Sequence, residues 1–489
     1  MMKLRERVVG AALLAVTGLI TCLLWVGISC PTQEASSRRP YLNIQRTVLQ
    51  QGSRNSESEV DREPQSPKVQ NTTAMYDELV EWLIRKLQAV PEADFRRERL
   101  RRTSMADLVS SLGGSGRRAS KRLPAWNAKN TGGRPNSNYY RFHQNARAAA
   151  LYEPDDPAID GLIRDMATKP FQTLEMMTRG TELKLLVKFD DRSQAVFKPM
   201  RWGRDHETLP NHYYFNDYER HNAEIAAFHL DRVLGFYRVP PVTGRIVNMT
   251  SEIFLLAEKA LRKTFYVSPI GNMCFFGECT YYCDSRHSFC GEVDMLEGSL
   301  MAWLPEPPAG ERDRWRSPYR RSYSKFRKAD WEEDDGYCRQ KLMQPDGTYL
   351  YPRFIPDLVD THIFDFMTGN MDRHHVEVFQ HLRNDSAPLL MDNGRGFGKS
   401  AVDEMSILAP LQQCCKIRLS TLHKLAKLYI GPERLSELLD KSLRSDPVYP
   451  VLATKYMPAL DRRLLIILRA VATCVKEYSV NDVIVPDKF

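Results

Sequence analysis

Lys198 closes Ala195-Val-Phe-Lys198, an apolar run set against Leu183-Lys-Leu-Leu-Val-Lys-Phe189 across the polar turn Asp190-Asp-Arg-Ser-Gln194. Strand, turn and strand are the expected elements. They would hold an ammonium group on rigid backbone, where a cation that must meet phosphate oxygens is useful. Glu219 follows 21 residues on, at the head of a stretch read as a helix to Phe236, with Ile225, Phe228, Leu230, Val233 and Leu234 on its apolar face. In phosphoryl transfer a strand Lys paired with a helix Glu orders the nucleotide site. Alone, such a pair is also the pattern of two surface residues.

The second half narrows the reading. Asp372 stands in a polar turn after the apolar run that includes Phe364 and Phe366, and Glu377 follows it by five positions, the separation of Asp and Asn in the kinase catalytic loop. Twenty residues after Asp372 comes Leu389-Leu-Met-Asp392-Asn-Gly394, an apolar strand ending in Asp-x-Gly. Asp372 would accept the proton of an acceptor hydroxyl, and Asp392 would hold a divalent cation bridging phosphates. Glu377 puts a carboxylate where Asn is usual, which implies an altered nucleotide or metal arrangement. His374 and His375 read as braces of the loop. A metal-dependent hydrolase built on Asp372, His374 and Asp392 is the alternative, and it leaves Lys198 and Glu219 unexplained. The glycine-rich run from Asn393 to Ser400 resembles a P-loop, but a Walker A motif needs Gly where Asn393 stands.

These residues need two bodies to position them. The strand-rich first part and the helix-like segments Leu358–Thr368, Ser420–Ile430, Pro432–Leu443 and Leu460–Tyr478 suggest an α+β molecule of two lobes with a cleft between them. Of 489 residues, 43% are hydrophobic and 10% aromatic, which excludes collagen-like, coiled-coil and wholly disordered chains. One apolar run, Val8 to Ile28, is long enough to cross a bilayer; Lys3, Arg5 and Arg7 precede it and predict a type II signal anchor with everything beyond it lumenal. A cleaved signal peptide is the competing reading. Residues 31 to about 70 are polar and read as a disordered stem. Met75 to Val90 reads as an amphipathic helix, packed on its own domain or serving dimerisation.

The net charge is +8, and residues 91–130 carry most of the excess, so no nucleic-acid-binding domain is indicated. Arg99-Leu-Arg-Arg102 resembles a site for basic-specific lumenal proteases, and cleavage there would release a soluble protein. The stretch Arg312 to Lys328, with Trp315, Tyr319 and Tyr323, suits either docking of an acidic substrate or plain solvation. Of ten cysteines, Cys22 lies in the apolar run and Cys30 just after it; the other eight, in an oxidising compartment, predict four disulfides over zinc ligation. Asn71, Asn248 and Asn384 head glycosylation sequons.

The motifs together resemble the secretory-pathway kinases of the family with sequence similarity 20, in the Golgi casein kinase branch. The resemblance covers roughly residues 150–480. It rests on Phe197-Lys-Pro-Met200, the run from Asp217 to Arg232, Arg238-Val-Pro-Pro241, Gly369-Asn-Met-Asp-Arg-His-His375, the run from Asp392 to Gly398, and Leu411-Gln-Gln-Cys-Cys415. It implies an atypical bilobal protein-kinase-like fold with disulfides behind the N-terminal transmembrane anchor. The parts are a cytoplasmic tail (1–7), the anchor (8–28), a largely disordered lumenal stem (29–130), a β-rich N-lobe with a disulfide-rich insert (131–300), a helical C-lobe (301–480) and a tail (481–489).

It further implies ATP with Mn²⁺ or Mg²⁺, and transfer to Ser in Ser-x-Glu or Ser-x-phosphoserine motifs of secreted proteins, including caseins and acidic matrix proteins of mineralised tissue. Lys198 matches the phosphate-contacting Lys, Glu219 a metal-binding Glu, Asp372 the catalytic Asp, Glu377 a nucleotide-contacting Glu and Asp392 the metal-binding Asp. Met301, Ala302, Trp303 and Leu304 fall where the family's hinge lines the adenine pocket. Glu182 stands where a nucleotide-touching Gln is expected, a departure that bears on nucleotide affinity. The implied disulfides are Cys274–Cys290 and Cys279–Cys283, with Cys338 and Cys474 each bridged to one of Cys414 and Cys415. One branch of the family phosphorylates xylose, and another is a pseudokinase with Gln at the metal-binding Glu, an allosteric partner of the casein kinase. The implied setting is the Golgi membrane or the secreted fluid, with a paralogous pseudokinase or a second copy as partner and no nucleic acid.

Overall fold

The computed structural model describes residues 78–88 and 133–486, apart from 147–148, 179, 211, 213–216, 305–310, 325, 345–352 and 381–385. The expected anchor (8–28), most of the stem, the basic run 91–130, Asn71 and Asn384 lie outside the described residues. Among the described residues no helix is long and apolar enough to cross a membrane.

Five antiparallel strands form the first layer: β1 (Phe171–Met177), β2 (Lys184–Phe189), β3 (Gln194–Pro199), β4 (Val242–Asn248) and β8 (Met295–Ala302), in the order β1-β2-β3-β8-β4. Alternation along β2 buries Leu185, Val187 and Phe189 and turns Lys184, Leu186 and Lys188 outward, as the period of two requires. The β2–β3 hairpin pairs Leu185 with Phe197 and Val187 with Ala195. Strand β8 runs through position 300, so the backbone crosses the expected lobe boundary as a continuous strand. A three-stranded insert, β5 (Tyr266–Val267), β6 (Met273–Phe275) and β7 (Phe289–Cys290), carries the bridges Cys274–Cys290 and Cys279–Cys283.

Behind the sheet lies a helix, His221–Leu234, whose residues are buried apart from Arg232 and Val233. It begins two residues later than expected. Arg220, with extended backbone, is its N-cap residue, and the Glu219 amide is taken by the Glu182 carboxylate at 2.6 Å, so neither joins the helical turn. Its end is as expected, with Gly235 at φ +76° in the left-handed cap position.

The second half is helical. Taking Glu78–Gln88 as α1, Asn138–Asn145 as α2, Pro157–Thr168 as α3 and His221–Leu234 as α4, it contains α5 (Phe354–Thr368), α6 (Ala409–Cys414), α7 (Leu419–Ile430), α8 (Leu435–Leu443) and α9 (Met457–Glu477). Helices α5 and α9 start three to four residues before the expected positions, because Pro356 and Pro458 fall in the first turn, where the missing amide hydrogen costs nothing. Helix α8 starts at Leu435, Arg434 being extended. A two-stranded sheet, β9 (Arg312–Arg316) with β10 (His375–Phe379), and a short parallel pair, β11 (Ile417–Arg418) with β12 (Ile484–Val485), complete the molecule. The expected C-terminal tail therefore supplies a strand.

Helix α1 falls inside the stretch read as stem, yet Val80 and Leu83 are wholly buried in the main core. Its Trp82 ring lies 5.3 Å from the Lys476 ammonium of α9. This agrees with the reading that packs the helix on its own domain. Cys338 is bridged to Cys414 and Cys415 to Cys474, and the first of these bridges centres a small second core of Tyr319, Trp331, Leu342, Phe354 and Leu358.

Candidate active site

A cavity of about 1010 Å³ opens between the five-stranded sheet and the helical part. Lys184 and Val196 line it from the sheet, Asp372 and His374 from the loop after α5, Leu389, Met391 and Asp392 from the following extended segment, and Met301 and Trp303 from the end of β8.

Lys198 is buried at the inner end. Its Nζ lies 2.8 Å from Glu219 Oε2 and 3.1 Å from Asp392 Oδ1, and it donates to Glu224 Oε1 as well. Burial would lower the pKa of this ammonium, but the three carboxylates hold it well above the usual lysine range. Glu219 is subject to the reverse contest. Burial raises it, while Lys184 and Lys198 hold it below the ordinary carboxylate value. Asp392 is held well below that value, by Lys184 first. Lys184 Nζ stands 3.9 Å from both Glu219 and Asp392. Lys198 and Asp392, 194 residues apart, thus meet at one point.

Local geometry keeps them there. Asp392 sits at φ +62°, a left-handed conformation uncommon for a residue with a side chain and characteristic of functional turns. Gly394 lets that turn press against Glu219, since a Cβ at 394 would lie 2.8 Å from the Cβ of Glu219. The Gly394 carbonyl accepts from the Arg220 amide at 2.6 Å. Arg373, also buried, donates to Asp365 at 2.8 Å, to Asn393 Oδ1 at 2.7 Å and to the Met391 carbonyl, stapling the Asp372 loop to the Asp392 turn.

Asp372 lies on the cavity wall, with Oδ2 paired to Arg395 and Oδ1 3.5 Å from the Tyr323 hydroxyl. His374 is raised by its hydrogen bond with Asp372, whereas His375 is lowered to about 4 by burial and by His374. The His374 ring is held by the Asp372 carbonyl at 2.8 Å, as a brace of the loop would be, while His375 opens β10 and its ring packs edge-on against His374; both rings line the cavity. Glu377 on β10 faces the cavity, and its carboxylate accepts from Arg312 at 2.7 Å.

Two sets of expected residues separate. Met301 and Trp303 line the cavity, whereas Ala302 and Leu304 are buried away from it. Glu182 does not reach the cavity wall. Its carboxylate pairs with Arg201 at 3.1 Å and accepts from the Glu219 amide, so it supports Glu219 from behind; burial and the Glu219 charge push it up to about 7. Asn248, at the end of β4, accepts from the Ser251 amide at 2.8 Å.

The sequence reading missed Glu224. It is the helix residue that grips Lys198, and its two oxygens also accept from the Asn393 amide at 3.2 Å. Its signal was an acid inside the buried face of α4, which must have a partner. Glu219, Glu224 and Asp392 bring carboxylate oxygens within 4.8 Å of one another. Oxygen donors of this kind suit a hard divalent cation. Glu219 and Asp392 are the two that open to the cavity, so the residues present fit the expected metal.

A family model described as "Golgi casein kinase, C-terminal, Fam20" matches residues 137–483. Extracellular serine/threonine protein CG31145 of Drosophila melanogaster is 51% identical over 350 residues, 71% of this chain and 65% of that protein. Extracellular serine/threonine protein kinase FAM20C of Homo sapiens is 48% identical over 351 residues, 72% of this chain and 60% of that protein. The chain therefore spans less than two thirds of the length of these two relatives. The human pseudokinase FAM20A and the human glycosaminoglycan xylosylkinase are each 40% identical. Among solved structures, a Golgi casein kinase with Mn/ADP bound superposes with a TM-score of 0.69 at 46% identity, covering 71% of this chain and 83% of that one.

Proposed function

The chain belongs to the Fam20 family, and on that premise we propose that it is a serine/threonine protein kinase of the secretory pathway. It transfers the γ-phosphate of ATP to Ser in Ser-x-Glu or Ser-x-phosphoserine motifs of secreted acidic proteins. The observation that carries this reading is the meeting of Lys198, Glu219 and Asp392 at one end of a cavity whose wall also holds Asp372. Glu219 is anionic where the pseudokinase branch has a neutral Gln, which favours catalysis over a silent partner role. The higher identity to the protein kinase than to the xylosylkinase favours a protein acceptor.

In this mechanism Lys198 and Lys184 contact phosphate oxygens, Met301 and Trp303 flank the base, and Glu377 meets the nucleotide. Asp372 orients the acceptor hydroxyl and takes its proton as its oxygen bonds to the γ-phosphorus and the bond to ADP breaks. Glu219 and Asp392 would hold a divalent cation, Mn²⁺ or Mg²⁺, which when bound would supply charge neutralisation at the phosphates. The N-terminal run 8–28 is the proposed Golgi anchor, with the rest lumenal or, after cleavage near Arg99–Arg102, secreted.

The test is transfer of ³²P from ATP with Mn²⁺ by the fragment from residue 70 onward, offered a Ser-x-Glu peptide and a xylose-containing tetrasaccharide in parallel. Transfer to the peptide, abolished in Glu219→Gln, is the expected result. Transfer to the glycan alone would make it a sugar kinase, and transfer to neither would favour the silent partner.

A further inference from the structure

Both oxygens of the Asp372 carboxylate are engaged. Arg395, with its side chain one-tenth exposed, holds Oδ2, and the Tyr323 hydroxyl lies 3.5 Å from Oδ1. A group that is to accept a proton from an acceptor hydroxyl must offer it an oxygen. His374 Nδ1 also faces Oδ1, at 3.7 Å, but it is held by the Asp372 carbonyl at 2.8 Å. Of the groups on the carboxylate Tyr323 is the one that can yield, being half exposed and at the long limit of a hydrogen bond.

The residues before Tyr323 are pinned. Tyr319 is buried and donates to Gln413 Oε1 at 2.8 Å, the Arg320 carbonyl accepts from the Trp331 indole at 3.0 Å, and Arg321 donates to Ser406 Oγ at 2.8 Å. The anchored stretch from Ser317 to Arg321 therefore presents Tyr323 at the cavity edge beside His374, whose ring centre is 6.3 Å away. Arg320 adds a cation that acts on Tyr323. Its guanidinium has no ion-pair partner among the described residues, unlike Arg312, Arg321, Arg373 and Arg395 nearby.

We propose that this strap is the acceptor-docking edge of the active site, with the Tyr323 hydroxyl holding on Oδ1 of Asp372 the place that the acceptor hydroxyl takes, and Arg320 receiving a carboxylate or phosphate of an acidic acceptor peptide. The Tyr323 phenol keeps its proton throughout; burial and the Asp372 charge push it up to about 12. It is displaced, not phosphorylated. The proposal rests on the protein-kinase reading for the class of acceptor, but not for the role of the hydroxyl.

Tyr323→Phe and Arg320→Gln, made in the fragment from residue 70 onward, test it, with Tm checked for each. Tyr323→Phe should lower the KM for Ser-x-Glu peptide roughly fivefold, the worth of one ordinary net hydrogen bond, and should raise ATP hydrolysis in the absence of any acceptor. A fall in kcat instead would make the hydroxyl a support for Asp372 and would overturn the proposal, as would unchanged KM and hydrolysis. Arg320→Gln should raise the KM for Ser-x-Glu peptide about tenfold, as expected for losing a charge-assisted contact, and leave a Ser-x-Gln peptide unaffected. An equal change for both peptides would remove the docking role. Should the wild type phosphorylate no peptide, the protein-kinase reading fails and Arg320 with it, while acceptor-free hydrolysis still decides the role of Tyr323.

Discussion

Glu224 and Asp392 both touch Lys198, yet they differ in what else they can reach. Asp392 has a half-exposed side chain facing the cavity, whereas Glu224 is almost fully buried and shares its oxygens between Lys198 and the Asn393 amide. Asp392→Ala is expected to abolish Mn²⁺-dependent transfer with the fold intact, because it removes the open carboxylate proposed to hold the cation. Glu224→Gln keeps the hydrogen-bonding shape but leaves a buried ammonium with one anion fewer. It should lower kcat at least tenfold and cost about 2 kcal/mol of stability, read from steady-state kinetics and urea unfolding side by side. Equal behaviour of the two variants in both measurements would contradict the division of labour. Of these residues Asp392 was legible because Asp-Asn-Gly after an apolar strand is a local pattern. Glu224 was not, because only its burial distinguishes it from any acid on a helix.

At the scale of elements, α4 joins the site to the rest of the sheet and carries a second buried acid, Asp231. Its Oδ2 accepts from the amides of Arg238 and Val239 at 2.9 and 3.1 Å, while Oδ1 is buried without a hydrogen-bond partner among the described residues. Burial pushes this carboxyl up to about 7, against about 3.9 in an unfolded chain. The folded form thus holds a proton that the unfolded chain has released. The stabilisation is complete below about pH 4 and is lost as pH climbs to about 7, at no more than about 1.4 kcal/mol per pH unit. Asp231→Asn, which imitates the neutral carboxyl, should flatten that slope in denaturant unfolding measured across the range; an unchanged slope would place the titration elsewhere. Helix α4 itself was visible in the spacing of its apolar residues. Its first residue was not, since the start is set by Glu182 capturing the Glu219 amide across 37 positions.

Across the whole molecule, two bridges leave consecutive cysteines in opposite directions. Cys338–Cys414 spans 76 positions and Cys415–Cys474 spans 59, so that α6 is tied both to the small second core and to α9. Chain-entropy reasoning gives about 4 kcal/mol for closing loops of that length and about 2 to 3 kcal/mol for Cys279–Cys283 and Cys274–Cys290, which span 4 and 16. Replacing Cys415 and Cys474 by Ser should therefore lower unfolding stability more than replacing Cys279 and Cys283, and dithiothreitol should lower the Tm of the wild type. The reverse order would show that the insert bridges act through the native state. They lie close to the site, since Arg201, the partner of Glu182, donates to the carbonyls of His287 and Tyr282 inside the insert. By itself the sequence determined what depends on neighbours along the chain: the hairpin that carries Lys198, the helices of the second half, the Asp392 turn and the eight cysteines outside the N-terminal segment. The tertiary structure alone decided which of Cys414 and Cys415 faces Cys338, that Glu182 supports Glu219 from behind, and that Arg395 meets one oxygen of Asp372 while Tyr323 reaches the other. Such contacts join segments tens of positions apart. They are set by how a sheet and a set of helices pack around one cavity, which no local period of apolar residues encodes.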